Sequence, residues 1–159
     1  MRPFRLLAVL TLAAAAPPAA AQSLQPTQVV SVNPFGMMLE IFNGEYEHTA
    51  GQSFTVGVVG STFRSEGDRY VNVDAFWRFY PQEFPDPFRG FSFGLKAGLT
   101  TAGDESSFGV GFDVDHSWRL GQADNFYVGV GVGLKRLFNE VNGDKFIPTL
   151  RLVNIGVAF

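Results

Sequence analysis

The sequence predicts an all-β fold: an antiparallel, up-and-down barrel, most simply of eight strands. Three observations predict it. Apolar and polar residues alternate with period two over ten to fourteen residues, several times along the chain. Short turn signals separate these runs: Ser65-Glu66-Gly67-Asp68, Pro81 to Arg89, Ala102 to Ser107, Gly121 to Asn125 and Asn139 to Lys145. The 18 glycines and 14% aromatic residues favour pleated strands over helices, because glycine weakens helix interiors and rings pack well on a pleated surface.

The first residues carry an export pattern. Arg2 and Arg5 form a basic region, Leu6 to Ala16 an apolar one, and Ala19-Ala20-Ala21 offers small residues for cleavage. The apolar run is too short for a spanning helix and is closed by Pro17 and Pro18. Residues 1–21 are therefore expected to be a cleaved signal peptide, and 22–159 one barrel domain. The chain has no Cys, which excludes disulfides, thiol chemistry and Cys-based metal sites, and leaves no site for an N-terminal lipid anchor. Without Arg2 and Arg5, ten basic residues face fifteen acidic ones, a net charge near −5. That is the reverse of a nucleic-acid binder's basic footprint.

Taken in order, the first strand is Thr27 to Val32. Asn33-Pro34-Phe35-Gly36 follows, with the type I turn residues in place. The second strand, 37–48, alternates poorly: Glu40 and Tyr46 share one face, Leu39 and Glu45 the other. A bulge near Phe42 to Gly44 would reconcile them. Phe54, Val56 and Val58 mark the third, 53–64. The fourth, 69–80, sets Val71, Val73, Ala75, Trp77 and Phe79 against Asn72, Asp74 and Arg78. The fifth, 90–101, sets Phe91, Phe93, Leu95, Ala97 and Leu99 against Ser92 and Lys96. In the sixth, 107–120, Phe108, Val110, Phe112, Val114 and Trp118 oppose Asp113, Asp115, Ser117 and Arg119. The seventh, 125–138, sets Phe126, Val128, Val130, Val132 and Leu134 against Tyr127 and Lys135. The eighth is 146–159.

Strands of about 9–11 tilted residues cross a bilayer, whereas soluble strands average about 5–6. In a membrane barrel the apolar stripe meets lipid and the charged stripe is enclosed. Aromatic residues cluster at strand ends, around Val, Gly, Leu and Ala in the middles. Tyr46, Phe54, Trp77, Phe79, Phe91, Trp118, Phe126 and Phe159 form one set, and Tyr70, Phe108, Phe138 and Phe146 the other. Two such girdles are what membrane interfaces select. Val153, Ile155, Val157 and the final Phe159 alternate on one face and resemble the C-terminal assembly signal of Gram-negative outer-membrane proteins. The mature chain resembles the small outer-membrane barrels typified by OmpX, OmpW and the OmpA membrane domain. The resemblance implies an outer-membrane location and recognition of the last strand by the barrel-assembly machinery. The loops 65–68, 102–107 and 139–145 are shorter than those families usually carry, which weakens any borrowed adhesion role.

Alternation turns Glu45, Glu47, Asp74, Arg78, Lys96, Asp113, Asp115, Arg119 and Lys135 inward. Five acids and four bases nearly cancel, so an internal salt-bridge network filling the lumen is expected, with a narrow ion path as the alternative. Arg136 and Arg151 point outward by the same count. About 20 Å up the wall, they would meet lipopolysaccharide phosphates. The loop acids Glu66, Asp68, Asp104, Glu105, Glu140 and Asp144 lack Ca²⁺-loop spacing and read as solvated charge. A lipid A-modifying enzyme would need a nucleophile beside His. His116 and Ser117 are adjacent on one strand and face opposite ways. His48 lies at a turn near Ser53 without an orienting acid. No catalytic, metal or cofactor site is expected. The anticipated partners are outer-membrane lipid and lipopolysaccharide, and the anticipated role is envelope integrity. A soluble lipocalin-like carrier, with Phe and Val enclosed, is the remaining alternative.

Overall fold

The computed structural model describes residues 25–35, 40–65, 67–81 and 86–159. The expected signal peptide 1–21, the segment 36–39 and Glu66 lie outside the described residues. Eight strands form a closed antiparallel barrel: β1 (Gln28–Val32), β2 (Phe42–Thr49), β3 (Phe54–Ser65), β4 (Asp68–Phe79), β5 (Gly90–Ala102), β6 (Glu105–Leu120), β7 (Phe126–Val141) and β8 (Asp144–Ala158). Each strand pairs with its neighbour in sequence, and β8 closes onto β1 through Val29–Val32 against Ala158–Ile155. Thr27 and Gln28 N–H both donate to the Phe159 carbonyl, which ties the two ends together at one rim, the terminal end. The opposite rim is the hairpin end. There Asn142 and Gly143 both take positive φ, 51° and 84°, as a two-residue hairpin turn requires.

β1 forms where the sequence places it, and Asn33 Oδ1 accepts from Phe35 N–H at 2.9 Å to turn the chain. The second strand differs from expectation. It starts at Phe42 and pairs with β3 without interruption from Phe42↔Thr62 to Thr49↔Thr55, so there is no bulge at Phe42 to Gly44. Glu40 instead takes φ 56° in the preceding turn, and the residues that broke the alternation precede the strand. The irregularities lie between β7 and β8, one near the hairpin, where five β7 steps from Arg136 to Val141 face two on β8, and one lower in the wall. Gly129 and Gly131 of β7 face Asn154 and Arg151, so three residue steps on β8 oppose two on β7. A one-residue slip exchanges the faces of everything beyond it.

The barrel's polarity is inverted relative to a water-soluble protein. Val73, Leu95 and Val132 are each 61% exposed on the outer wall, whereas Glu47 and Lys135 are fully buried and Asp74 is 2% exposed. This overturns the carrier reading with Phe and Val enclosed, since Phe93 and Phe112 face out. Apolar side chains gather inside near both rims. Tyr70, Ala102, Leu137, Val141 and Ile147 do so at the hairpin end, with Phe63 stacked on Tyr70. Val29, Phe88, Tyr127 and Ala158 do so at the terminal end. Phe88 takes φ 71°, a strained value for a bulky residue, and its ring is wholly buried. The ordinary closed-barrel interior has little room, and inward glycines let strands meet. A Cβ on Gly98 would sit 2.0 Å from the Val73 carbonyl oxygen, whereas one on Gly60 meets nothing within 4 Å. Gly98→Ala is accordingly expected to cost about 1–3 kcal/mol in a urea titration of the refolded barrel, and Gly60→Ala to stay within about 0.5 kcal/mol of the parent.

Candidate functional site

Inward positions of β2, β4, β6 and β8 converge on one charge cluster. Arg78 on β4 is its hub. Its Nη1 donates to Glu45 Oε1 at 2.6 Å and to Glu47 Oε2 at 2.8 Å. Its Nη2 reaches Glu45 Oε2 at 3.1 Å, and its Nε reaches Asp115 Oδ2 at 3.0 Å. The Arg78 guanidinium also lies 4.1 Å from the Phe76 ring centre. Arg151 on β8 donates through Nη2 to Glu45 Oε1 at 2.8 Å and to the Tyr127 hydroxyl at 2.7 Å. Thr55 and Tyr80 hydroxyls donate to Glu47 Oε1. Three carboxylates thus share two guanidiniums, and two neutral hydroxyls add donors to Glu47.

Toward the hairpin end lie two lysine pairs. Lys96 meets Asp113 and donates to Thr149 Oγ1 at 2.7 Å, while Lys135 meets Asp74. At the terminal end Arg119 donates to Asp86 Oδ1 at 2.8 Å and lies 2.9 Å from Asp124. The structure therefore encloses all nine residues that alternation turned inward: Glu45, Glu47, Asp74, Arg78, Lys96, Asp113, Asp115, Arg119 and Lys135. Each has an opposite charge within ion-pair reach, which low-dielectric burial demands.

Arg151 is a correction. It is 5% exposed and faces the lumen, so it makes no contact with lipopolysaccharide phosphates. Counting back from Phe159 in steps of two crosses the β8 irregularity, where Leu152 takes the outward place and Val153 is only partly exposed. Beyond that point Ile155 remains half-buried on the outer wall, and Val157 and Phe159 are exposed there, at 51% and 58%. Arg136 does point outward, between Val110 of β6 and Phe146 of β8. Tyr70 is a second correction: it leaves the girdle, lies 3% exposed inside, and donates to Asp144 Oδ2 at 2.8 Å.

The other candidates separate. His116 is on the outer wall, its ring 4.4 Å from Phe91 and 4.3 Å from Trp118. Ser117 is buried inside. His48 is exposed at the terminal end and is paired in the ladder with Gln28 and Val56. Most of the loop acids are tied into the rim. Asn142 Nδ2 donates to Asp68 at 3.0 Å, Asn142 N–H donates to Glu105 at 2.6 Å, and Lys145 pairs with Glu140 at 3.0 Å. Sequence reasoning missed Tyr80, Thr55, Asp86 and Phe88. Tyr80 and Thr55 were legible in principle, because they share inward parity with Arg78 and Glu47. Asp86 and Phe88 lie in a connection, where no periodicity exists to read.

No family model matches the chain, and no curated protein matches it. Among solved structures, the N-terminal β-barrel domain of Pseudomonas aeruginosa OprF superimposes with a TM-score of 0.53 at 11% identity. The match covers 85% of this chain and 98% of that one. At that identity the likeness establishes a shared eight-stranded barrel fold and nothing finer. From the cluster geometry, Arg78→Ala leaves Glu47 with no cation in ion-pair reach and Glu45 and Asp115 with Arg151 alone, and is expected to cost about 3–5 kcal/mol in urea unfolding. Arg151→Ala should destabilise in the same sense. Arg136→Ala, on the outer wall, should stay within about 0.5 kcal/mol.

Proposed function

We propose that the protein is an integral outer-membrane barrel whose lumen is filled by its own side chains and whose role is structural support of the envelope. One observation carries this reading: the apolar face is outside and the ionised face is inside. Soluble monomers rarely expose an apolar patch beyond a few hundred Å². Here every strand contributes exposed apolar residues, from Val30 and Val32 of β1 round to Leu150 and Val157 of β8. The 13 residues of β5, at about 3.3 Å each and a tilt near 45°, rise roughly 30 Å, the thickness of a hydrocarbon core. Rings mark both borders. Phe54 stacks on Trp77, and His116 sits between Phe91 and Trp118, at the terminal end. Phe108 stacks on Phe138 at the other.

The apolar groups inside each rim, with the paired charges between them, support a closed lumen over a conducting one. His116 and Ser117 lie on opposite faces, so the most tempting nucleophile–base pair cannot assemble, and we assign no catalytic role. The export pattern in 1–21 and the outward Val157 and Phe159 of the closing strand support delivery through the barrel-assembly machinery. Outer-membrane lipid, lipopolysaccharide included, then surrounds the wall. Fractionation with heat-shift electrophoresis tests the placement. The chain should sediment with outer membranes, resist carbonate, require detergent, and migrate differently before and after boiling. Carbonate release without a heat shift would overturn the membrane reading. In planar bilayers the purified barrel should give no channel steps, and porin-like conductance would overturn the filled lumen.

A further inference from the structure

The outer wall is not uniform. Ladder register aligns Ala75 of β4, Ala97 of β5, Val110 of β6, Arg136 of β7 and Phe146 of β8 in a single row across the wall. The adjacent row toward the terminal end is Trp77, Leu95, Phe112 and Leu134, each larger than Ala75, Ala97 and Val110. Small residues beside large ones leave a groove, floored by Ala75, Ala97 and Val110, with a volume of about 620 Å³. Arg136 and Phe146 close one end of it.

Ala75 lies seven residues along β4 from Asp68 at the hairpin end, whereas Ala97, Val110 and Arg136 each lie five from the hairpin ends of their strands. From Ala75 to Arg136 the row crosses three strand spacings of about 4.8 Å, some 14 Å in all. The groove therefore runs across the wall from mid-height on β4 to the hairpin half of the barrel on β5 to β7, where it meets a cation. Arg136 is exposed, and no carboxylate pairs with it among the described residues. Every enclosed arginine, by contrast, is matched with acids. An unpaired guanidinium at the top of an apolar channel fits a ligand with an acyl chain below and a phosphate above, since the planar fork binds phosphate through two parallel hydrogen bonds.

We propose that this groove is a bound-lipid site for one acyl chain of lipid A, with a lipid A phosphate on Arg136. The assignment rests on the outer-membrane reading above. An even strand count leaves both termini on one side; as part of the same outer-membrane reading we place that side in the periplasm, which puts the Arg136 end in the outer leaflet, where lipid A is the phosphorylated lipid. The site gives the barrel a fixed lipid neighbour on the β4–β8 side of its wall, in addition to the fluid shell around the rest.

Native mass spectrometry of the refolded barrel, released from micelles with added lipid A, tests this. The parent should retain one lipid A molecule. Arg136→Ala, which removes the phosphate ligand, and Ala97→Phe, which fills the floor, should each reduce that occupancy about tenfold, the loss expected for a charge-assisted contact. Phosphatidylglycerol at the same concentration should bind no better to the parent than to Arg136→Ala. Heat-shift electrophoresis of the same samples separates the two levels of the account. Loss of the shift in the parent would sink the membrane reading itself. An intact shift with unchanged lipid A occupancy in both variants, or with phosphatidylglycerol bound as well as lipid A, would sink the groove assignment alone.

Discussion

The Arg78 guanidinium holds three carboxylates from two other strands, and the barrel depends on that clamp. Glu45 and Glu47 arrive from β2 and Asp115 from β6, so a single side chain of β4 ties strands that are not neighbours in the ladder. An uncompensated charge in this interior would cost several kcal/mol, enough to consume much of a domain's stability. Each buried charge must therefore have an opposite charge beside it. Arg151 joins the cluster from β8, donating to Glu45 and to the Tyr127 hydroxyl, and the hydroxyls of Thr55 and Tyr80 donate to Glu47. Specificity follows from this geometry. A slip of one residue in β2, β4, β5, β6, β7 or β8 would turn a paired charge outward and an apolar side chain inward.

The same constraint shapes the two ends. Water entering the lumen would weaken every ion pair within it, because screening and high dielectric reduce Coulomb attraction. Tyr70, Leu137, Val141 and Ile147 stand between the lysine pairs and the hairpin end. Phe88, Val29 and Ala158 stand between Arg78 and the terminal end. That Phe88 is held in left-handed backbone to reach its position indicates how much of the closure rests on a connection outside the strands. The connections differ in length at both ends: the tight two-residue turns 103–104 and 142–143 share the hairpin end with the 33–41 connection, and 80–89 is the long one at the terminal end.

Much of this was legible in the residues themselves. Within β4, β5 and β6 the alternation is nearly uninterrupted, and it placed Asp74, Arg78, Lys96, Asp113 and Asp115 inside without structural help. Parity reasoning fails where the ladder itself changes count. Arg151 was turned outward because nothing in Leu150 to Ile155 announces that three residues of β8 face two of β7. It also fails where a residue type has two habitats: Tyr70 suits an interface girdle as well as an enclosed hydroxyl. The Asp86 partner of Arg119 sits in a connection, and only the folded chain brings it within 2.8 Å. The identity of the candidate site was thus readable as a list of charges, and its wiring was not.

The central claim is that the apolar face meets hydrocarbon. Both tryptophans, Trp77 and Trp118, stand on that face at 40% and 41% exposure, so the unmodified chain reports on it. In bilayers containing acyl-chain-brominated lipids, their fluorescence should be strongly quenched and should resist aqueous acrylamide. Emission that ignores the brominated lipid and yields to acrylamide would contradict the account.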